Sequence, residues 1–276
     1  MTDLPSRPHP LRDSVQDVEA SHRLPDTPQT RSPSYRLAFA DDDFLMKQEL
    51  RPVRLQLELL KPQMALDSAE IRSTVVLFGG ARIPSPEKVA ETRKAGLVAL
   101  APYYEEARKF AAEVTRRSLQ TYGHDWVICT GGGPGVMEAG NRGAAEAGGR
   151  SIGLNIMLPH EQVPNPWVTP EFSFNFHYFA IRKMHFLMRA AAICIFPGGF
   201  GTMDEMFEAL TLMQTGRMRR VPFLLFGQAY WQKVINWEAL VDAGTINAQD
   251  LDLFRFVETA DEAVAVLFAG QESFPG

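Results

Sequence analysis

The run AICIFPGGFGTMDEMFE, from Ala192 to Glu208, leaves the backbone few options. Ile193 to Phe196 is a short apolar run that reads as a buried strand. It stops at Pro197, which has no N–H for a continuing ladder. Gly198, Gly199 and Gly201 are expected to carry the backbone through angles closed to a side chain. A helix follows at once, with Thr202 in its first turn and Asp204 and Glu205 close behind. Strand, glycine loop and helix start place unpaired N–H groups and the positive end of a helix dipole beside an open gap. Such a place suits an anion, most naturally a phosphate. The alternative is a tight strand-to-helix turn with no ligand. Three glycines, a hydroxyl and two carboxylates in one turn favour the ligand.

Two further apolar runs end in the same way. Thr74 to Phe78 runs into Gly79-Gly80-Ala81-Arg82, and Asp125 to Cys129 into Thr130 and then Gly131 to Gly135. Strand patterns at Ser151–Met157, Phe172–Phe176 and Val221–Phe226 alternate with helical ones. Those helices are expected at Tyr103–Tyr122, Val136–Ala147, Phe179–Arg189, Tyr230–Ala243 and Asp261–Phe268. This alternation predicts parallel βαβ units, hence an α/β, Rossmann-like three-layer fold with a central parallel sheet. The domain is expected over residues 71–270. A helical extension is expected at 36–70, where Arg51–Leu60 fits strand or helix and Pro52 favours helix. Residues 1–35, rich in Pro, Ser, Asp and Arg, read as a disordered tail. In an open parallel sheet the loops after the strands share one edge, so the three glycine loops are expected to converge. None matches G-x-G-x-x-G with a later acidic residue, or G-x-x-x-x-G-K-[ST], so a smaller nucleotide with one phosphate fits better than NAD or ATP.

Composition narrows the partners. The net charge is −5 and no long Lys/Arg block occurs, which argues against a nucleic-acid partner. No stretch reaches membrane-spanning length, and no N-terminal signal is evident, so a cytoplasmic protein is expected. Cys129 and Cys194, the two cysteines, sit in apolar runs and read as buried free thiols. A cysteine nucleophile or metal pair is disfavoured for want of a nearby His/Cys cluster, so no metal cofactor is expected from them. Among candidate site residues, Glu205 is expected to be ionised, since a helix start lowers a carboxylate's pKa. It would stabilise a growing positive charge or accept a proton from water. Arg182, on the helix feeding the strand that ends at Pro197, would hold phosphate or a leaving group. Lys183 is either a second phosphate contact or a surface charge. A Schiff-base role for it has no companion motif. His185 reads as structural.

The run Pro197-Gly198-Gly199-Phe200-Gly201-Thr202-Met203-Asp204-Glu205 resembles the PGGxGTxxE motif of the LOG ("Lonely Guy") family. Arg182-Lys183 resembles that family's upstream Arg-Lys pair, and Gly131 to Met137 its other glycine loop. The family comprises cytokinin-activating nucleoside 5′-monophosphate phosphoribohydrolases, often labelled lysine decarboxylases. The resemblance implies an enzyme that hydrolyses the N-glycosidic bond of AMP or a cytokinin riboside 5′-monophosphate, giving free base and ribose 5-phosphate. It implies Arg182 and Glu205 as catalytic, and Gly199, Phe200, Gly201 and Thr202 as the phosphate loop. It adds Gly132, Gly133 and Lys183 as binding residues, and a homodimer or higher homo-oligomer. The long N-terminal extension, the Gly79–Arg82 loop and Gln214-Thr215-Gly216 look like the family's longer bacterial branch, and favour AMP over a cytokinin nucleotide. The alternative is a protein that binds or carries a nucleotide or phosphorylated cofactor without cutting it.

Overall fold

The structure is a computed structural model that describes residues 13–159 and 163–269. The chain divides into two units, Met1–Leu57 and Glu58–Gly276. In the first, Ser14–Ser21 forms α1, whose open end is closed by the Asp13 side chain accepting from the Val15 N–H at 2.9 Å. The first twelve residues of the expected disordered tail lie outside the described residues. The tail nevertheless contains this helix, because an aspartate cap satisfies a first-turn donor that composition alone ignores. A short helix α2 follows at Asp42–Leu45. The Arg54 guanidinium donates to the carbonyls of Leu45 and Lys47, at 2.5 and 2.7 Å. Arg51–Ser68 forms α3, so the helical choice for this stretch holds.

The second unit alternates strands and helices in the expected order. In sequence these are β1 (Thr74–Phe78), α4 (Ala95–Leu100), α5 (Pro102–Leu119), β2 (Val127–Thr130), α6 (Val136–Glu146), β3 (Ser151–Ile156), β4 (Ser173–Phe176) and α7 (Phe179–Met188). Then come β5 (Ala190–Ile195), α8 (Phe200–Gln214), β6 (Phe223–Phe226), α9 (Gln228–Val234), α10 (Trp237–Asp242), β7 (Arg255–Val257) and α11 (Ala260–Leu267). Two details differ from expectation. The helix expected over Tyr230–Ala243 is two helices, because Asn236 turns extended and its side chain accepts from the Ala239 N–H at 3.0 Å, starting α10 afresh. The short strand β7, three residues long, carries too little period to be read.

The strands form one sheet in the order β4-β3-β2-β1-β5-β6-β7, and all neighbours are parallel. Alternation along each strand divides the core. Val75, Leu77, Ala192, Cys194, Leu224 and Phe226 pack with Tyr104, Phe110 and Ala111 of α5 and Ala263 of α11. Val76, Phe78, Ile193, Ile195, Phe223 and Leu225 face the other way, onto Phe186 of α7, Met206 of α8 and Trp231 of α9. A sheet buried on both faces needs continuous apolar strands, and these strands supply them. Cys129 and Cys194 fall on opposite faces, both buried and free. No described helix is long and apolar enough to cross a membrane.

Helices α5 and α6 meet at Gly143, where an added Cβ would run into the Arg108 carbonyl and approach the Ala111 Cβ to 3.1 Å. Backbone cannot yield as a flexible side chain can. Gly143→Ala is therefore expected to lower unfolding free energy by about 1–3 kcal/mol. Gly96→Ala, in α4 with no atom in reach of the new methyl, should be neutral or stabilise by about 0.5–1 kcal/mol. Urea unfolding midpoints of the two variants check this contrast.

Candidate active site

Strand order reverses between β1 and β5, and a parallel sheet opens a crevice at such a point beyond its strand ends. The three glycine loops do converge there, held together by backbone. The Phe196 N–H donates to the Phe78 carbonyl at 2.8 Å, and the Gly80 N–H to the Pro197 carbonyl at 2.9 Å. The Val136 N–H in turn reaches the Gly80 carbonyl at 3.3 Å. Gly135, at φ +69°, makes this last approach possible, since a Cβ would strike the Gly80 carbonyl oxygen. Between the loops lies a cleft of about 260 Å³. Its walls are Phe78 to Ala81, Gly131, Met137, Phe179, Arg182 and the first turns of α8.

Arg182 and Glu205 face each other in this cleft. The Arg182 Nη1 lies 3.8 Å from the Glu205 Oε1, and both side chains are nearly buried. The Arg182 Nε donates to the Leu154 carbonyl at 2.6 Å, and the guanidinium sits 5.0 Å above the Phe186 ring. Gly131 leaves room for it: a Cβ there would come within 2.7 Å of the Arg182 Nη2. Helix α7, which carries Arg182, is started by Glu58. Its carboxylate accepts from the His177 and Tyr178 N–H groups at 2.8 and 3.1 Å.

Glu205 differs from expectation in charge. It occupies the core face of α8 together with Thr202, Met206, Ala209, Leu210 and Met213. Burial pushes its carboxyl up to about 7, against the pull of Lys183 and Arg182. Desolvation outweighs the helix-start effect that points to a lowered pKa, because that effect assumes solvent exposure. Burial likewise lowers the Arg182 pKa, partly offset by Glu205. The Cys129 thiol faces Arg182, yet burial pushes it up to about 12, so it stays protonated.

The remaining site residues divide. Gly199, Gly201 and Thr202 line the cleft. Gly199 starts α8 with no side-chain cap, so the N–H groups of Phe200, Gly201 and Thr202 lack an acceptor from that source. Phe200 does not line the cleft and is 93% exposed. The expectation that Gly198, Gly199 and Gly201 take angles closed to side chains is not met, since none has positive φ. Gly198 is required sterically, by the Thr202 side chain packed against it. At Gly199 and Gly201 a Cβ would meet no protein atom within 4 Å. Gly132 and Gly133 are buried behind the cleft and do not line it. The Asn165 side-chain amide donates to both their carbonyls, at 3.1 and 3.0 Å, and to the Asn141 Oδ1 at 2.9 Å. Lys183 also lies off the cleft. Its ammonium pairs with Asp204 at 2.7 Å and Glu208 at 2.9 Å, and its side chain is largely buried.

Sequence reasoning missed Glu58, Asn141, Asn165 and Tyr230, whose hydroxyl donates to the Gly198 carbonyl at 2.7 Å. A larger cleft of about 470 Å³ lies against Trp237, Phe254 and Phe256, but it carries the carboxylate of Glu238 and no cation.

Residues 137–267 match the family model described as "Possible lysine decarboxylase". That span, just under half of the chain, holds Arg182, Glu205 and the Pro197–Glu205 motif, and over it the chain is similar to this family. No curated protein matches the chain. Several solved structures are similar, among them the following three. The X-ray structure of TM1055 is 20% identical, covering 71% of this chain and 99% of that one, with a TM-score of 0.47. The molybdenum cofactor carrier protein of Chlamydomonas reinhardtii is 22% identical, with 72% and 97% covered and a TM-score of 0.46. The molybdenum cofactor binding protein of Rippkaea orientalis is 16% identical, with 72% and 96% covered and a TM-score of 0.45.

The raised Glu205 pKa fixes the sign of a stability effect. Between pH 4.5, its ordinary value, and about 7, the folded chain holds a proton here that the unfolded chain has lost. Stability from this group is fully present below pH 4.5 and declines as pH rises to about 7. The unfolding free energy of wild type minus that of Glu205→Gln is expected to fall by on the order of 3 kcal/mol across this window. Denaturant melts at several pH values measure it, and a flat difference would show that the carboxyl is not desolvated.

Proposed function

We propose that the chain hydrolyses the N-glycosidic bond of a purine nucleoside 5′-monophosphate, AMP first, releasing base and ribose 5-phosphate. The observation that carries this is the Arg182–Glu205 pair, opposed at 3.8 Å in a cleft that also presents the uncapped start of α8. The first-turn N–H groups would take the 5′-phosphate. The bare backbone at Gly199 and Gly201, crowded by no protein atom, supports a ligand approaching there. The sugar would then lie over Glu205. Cleavage leaves a cation-like ribose, and an ionised Glu205 would stabilise it and orient the attacking water. Arg182 would hold the substrate and the charge left on the departing base. Phe78, Met137 and Phe179 offer the base an apolar wall.

Decarboxylation through a lysine Schiff base fits the residues poorly. Such a lysine needs a neutral amine beside the substrate. Burial lowers the Lys183 pKa, but Asp204 and Glu208 overcome this and raise it. Lys183 itself does not line the cleft, and its ammonium is engaged by both carboxylates.

Incubation with AMP, with adenine and ribose 5-phosphate followed by chromatography, tests the proposal. Glu205→Ala and Arg182→Ala should each lower release by about 100-fold or more. The rate should rise with pH through about 7 as Glu205 ionises. Tight AMP binding with no release by wild type would instead favour a carrier.

A further inference from the structure

Asp204, Glu205 and Glu208 crowd three carboxylates into two turns of α8. Like charges at this spacing repel along a helix. Lys183, on α7, meets that problem from outside the cleft. Its ammonium pairs with Asp204 at 2.7 Å and Glu208 at 2.9 Å, the residues on either side of Glu205 in the helix, and its side chain is only 15% exposed. Arg182, the neighbouring residue, turns instead to Glu205 and the cleft. Two adjacent cations on one helix thus have separate tasks.

We infer that Lys183 is a positioning residue: by clamping Asp204 and Glu208 it fixes α8 against α7 and sets, without touching substrate, the charge state of the carboxylate between them. The charged and titratable groups that act on Glu205 are few. Helix α7 brings Arg182 and Lys183, α8 itself brings Asp204 and Glu208, and β2 brings the Cys129 thiol, which stays neutral beside Arg182. Burial raises Glu205, and Lys183 is the strongest force opposing it, followed by Arg182. Removing the ammonium would leave two flanking carboxylates without their partner and only Arg182 to hold the charge on Glu205.

The inference rests on the hydrolase reading only for its activity readout. Lys183→Met and Lys183→Arg in the full chain test it in two ways. The first is a carbon-13 NMR titration of the Glu205 carboxyl, assigned with Glu205→Gln, which needs no turnover. Lys183→Met should raise the midpoint by about one pH unit, and Lys183→Arg should restore it. The second is the acid limb of kcat/KM for AMP, which should move with that midpoint, so that below it the rate falls about tenfold. At about pH 8.5, above both midpoints, KM for AMP should stay within about twofold. A direct phosphate contact would raise KM and leave the limb in place, and that result overturns the inference. So does an unmoved midpoint in a folded Lys183→Met. Should Lys183→Met fail to fold, Asp204→Asn serves: it frees the ammonium and removes one carboxylate, so the midpoint should drop, and an unmoved one overturns the inference. If wild type cleaves no AMP while the midpoint shifts as stated, the hydrolase reading falls and this inference stands.

Discussion

Gly80 joins the site together. Its N–H donates to the Pro197 carbonyl in the loop after β5, and its carbonyl receives the first N–H of α6. One residue therefore ties the loops after β1, β2 and β5 into a single backbone cluster at the point where strand order reverses. Both bonds depend on neighbours that come very close, which is why Gly79 and Gly135 have no room for a side chain. The site is thus built on the rigid edge of a sheet. Side chains projecting from it inherit that precision, which is what opposed groups in a small cleft require.

Glu205 shows how the fold uses this rigidity. A carboxylic acid takes a core-face position where its neighbours are Met206, Ala209 and Met213. Such a position disfavours charge, and the cost is offset by Arg182 opposite and Lys183 alongside. Arg182 is itself desolvated and held by the Leu154 carbonyl and the Phe186 ring. Neither partner could be buried alone without a large penalty. The pair is therefore a coupled unit, and the supports of one are supports of the other. Glu58, which starts α7, belongs to those supports although it touches neither.

Much of this was legible in the sequence because its signals are local. The strand runs, the glycine loops and the helix patterns give the parallel α/β fold, and the Pro197–Glu205 motif marks the cleft. Where the reading failed, the cause was a partner distant in the chain or a face not tallied. Glu58 caps a helix 119 residues away, and no periodicity announces that. Asn165 sits in a proline-rich loop, yet its amide holds the carbonyls of Gly132 and Gly133. Lys183 reads as either a phosphate contact or a surface charge, and its pairing with Asp204 and Glu208 is visible only once α7 and α8 are in place. The buried state of Glu205 was accessible, since positions 202, 205, 206, 209, 210 and 213 trace one helical stripe. Treating the acid as a helix-start charge hid its membership of that stripe.

A phosphate cradle alone does not separate an enzyme from a carrier. Uncapped N–H groups at a helix start and open glycine backbone suit both. What differs is the use of a buried acid. A carrier gains nothing from a carboxyl that desolvation holds near 7, because that group weakens the fold at neutral pH and repels a phosphate when ionised. A catalyst gains a group that changes charge state in the range where it works. The arginine opposite stands 3.8 Å from the acid, beyond hydrogen-bonding distance, so neither group spends its hydrogen bonds on the other.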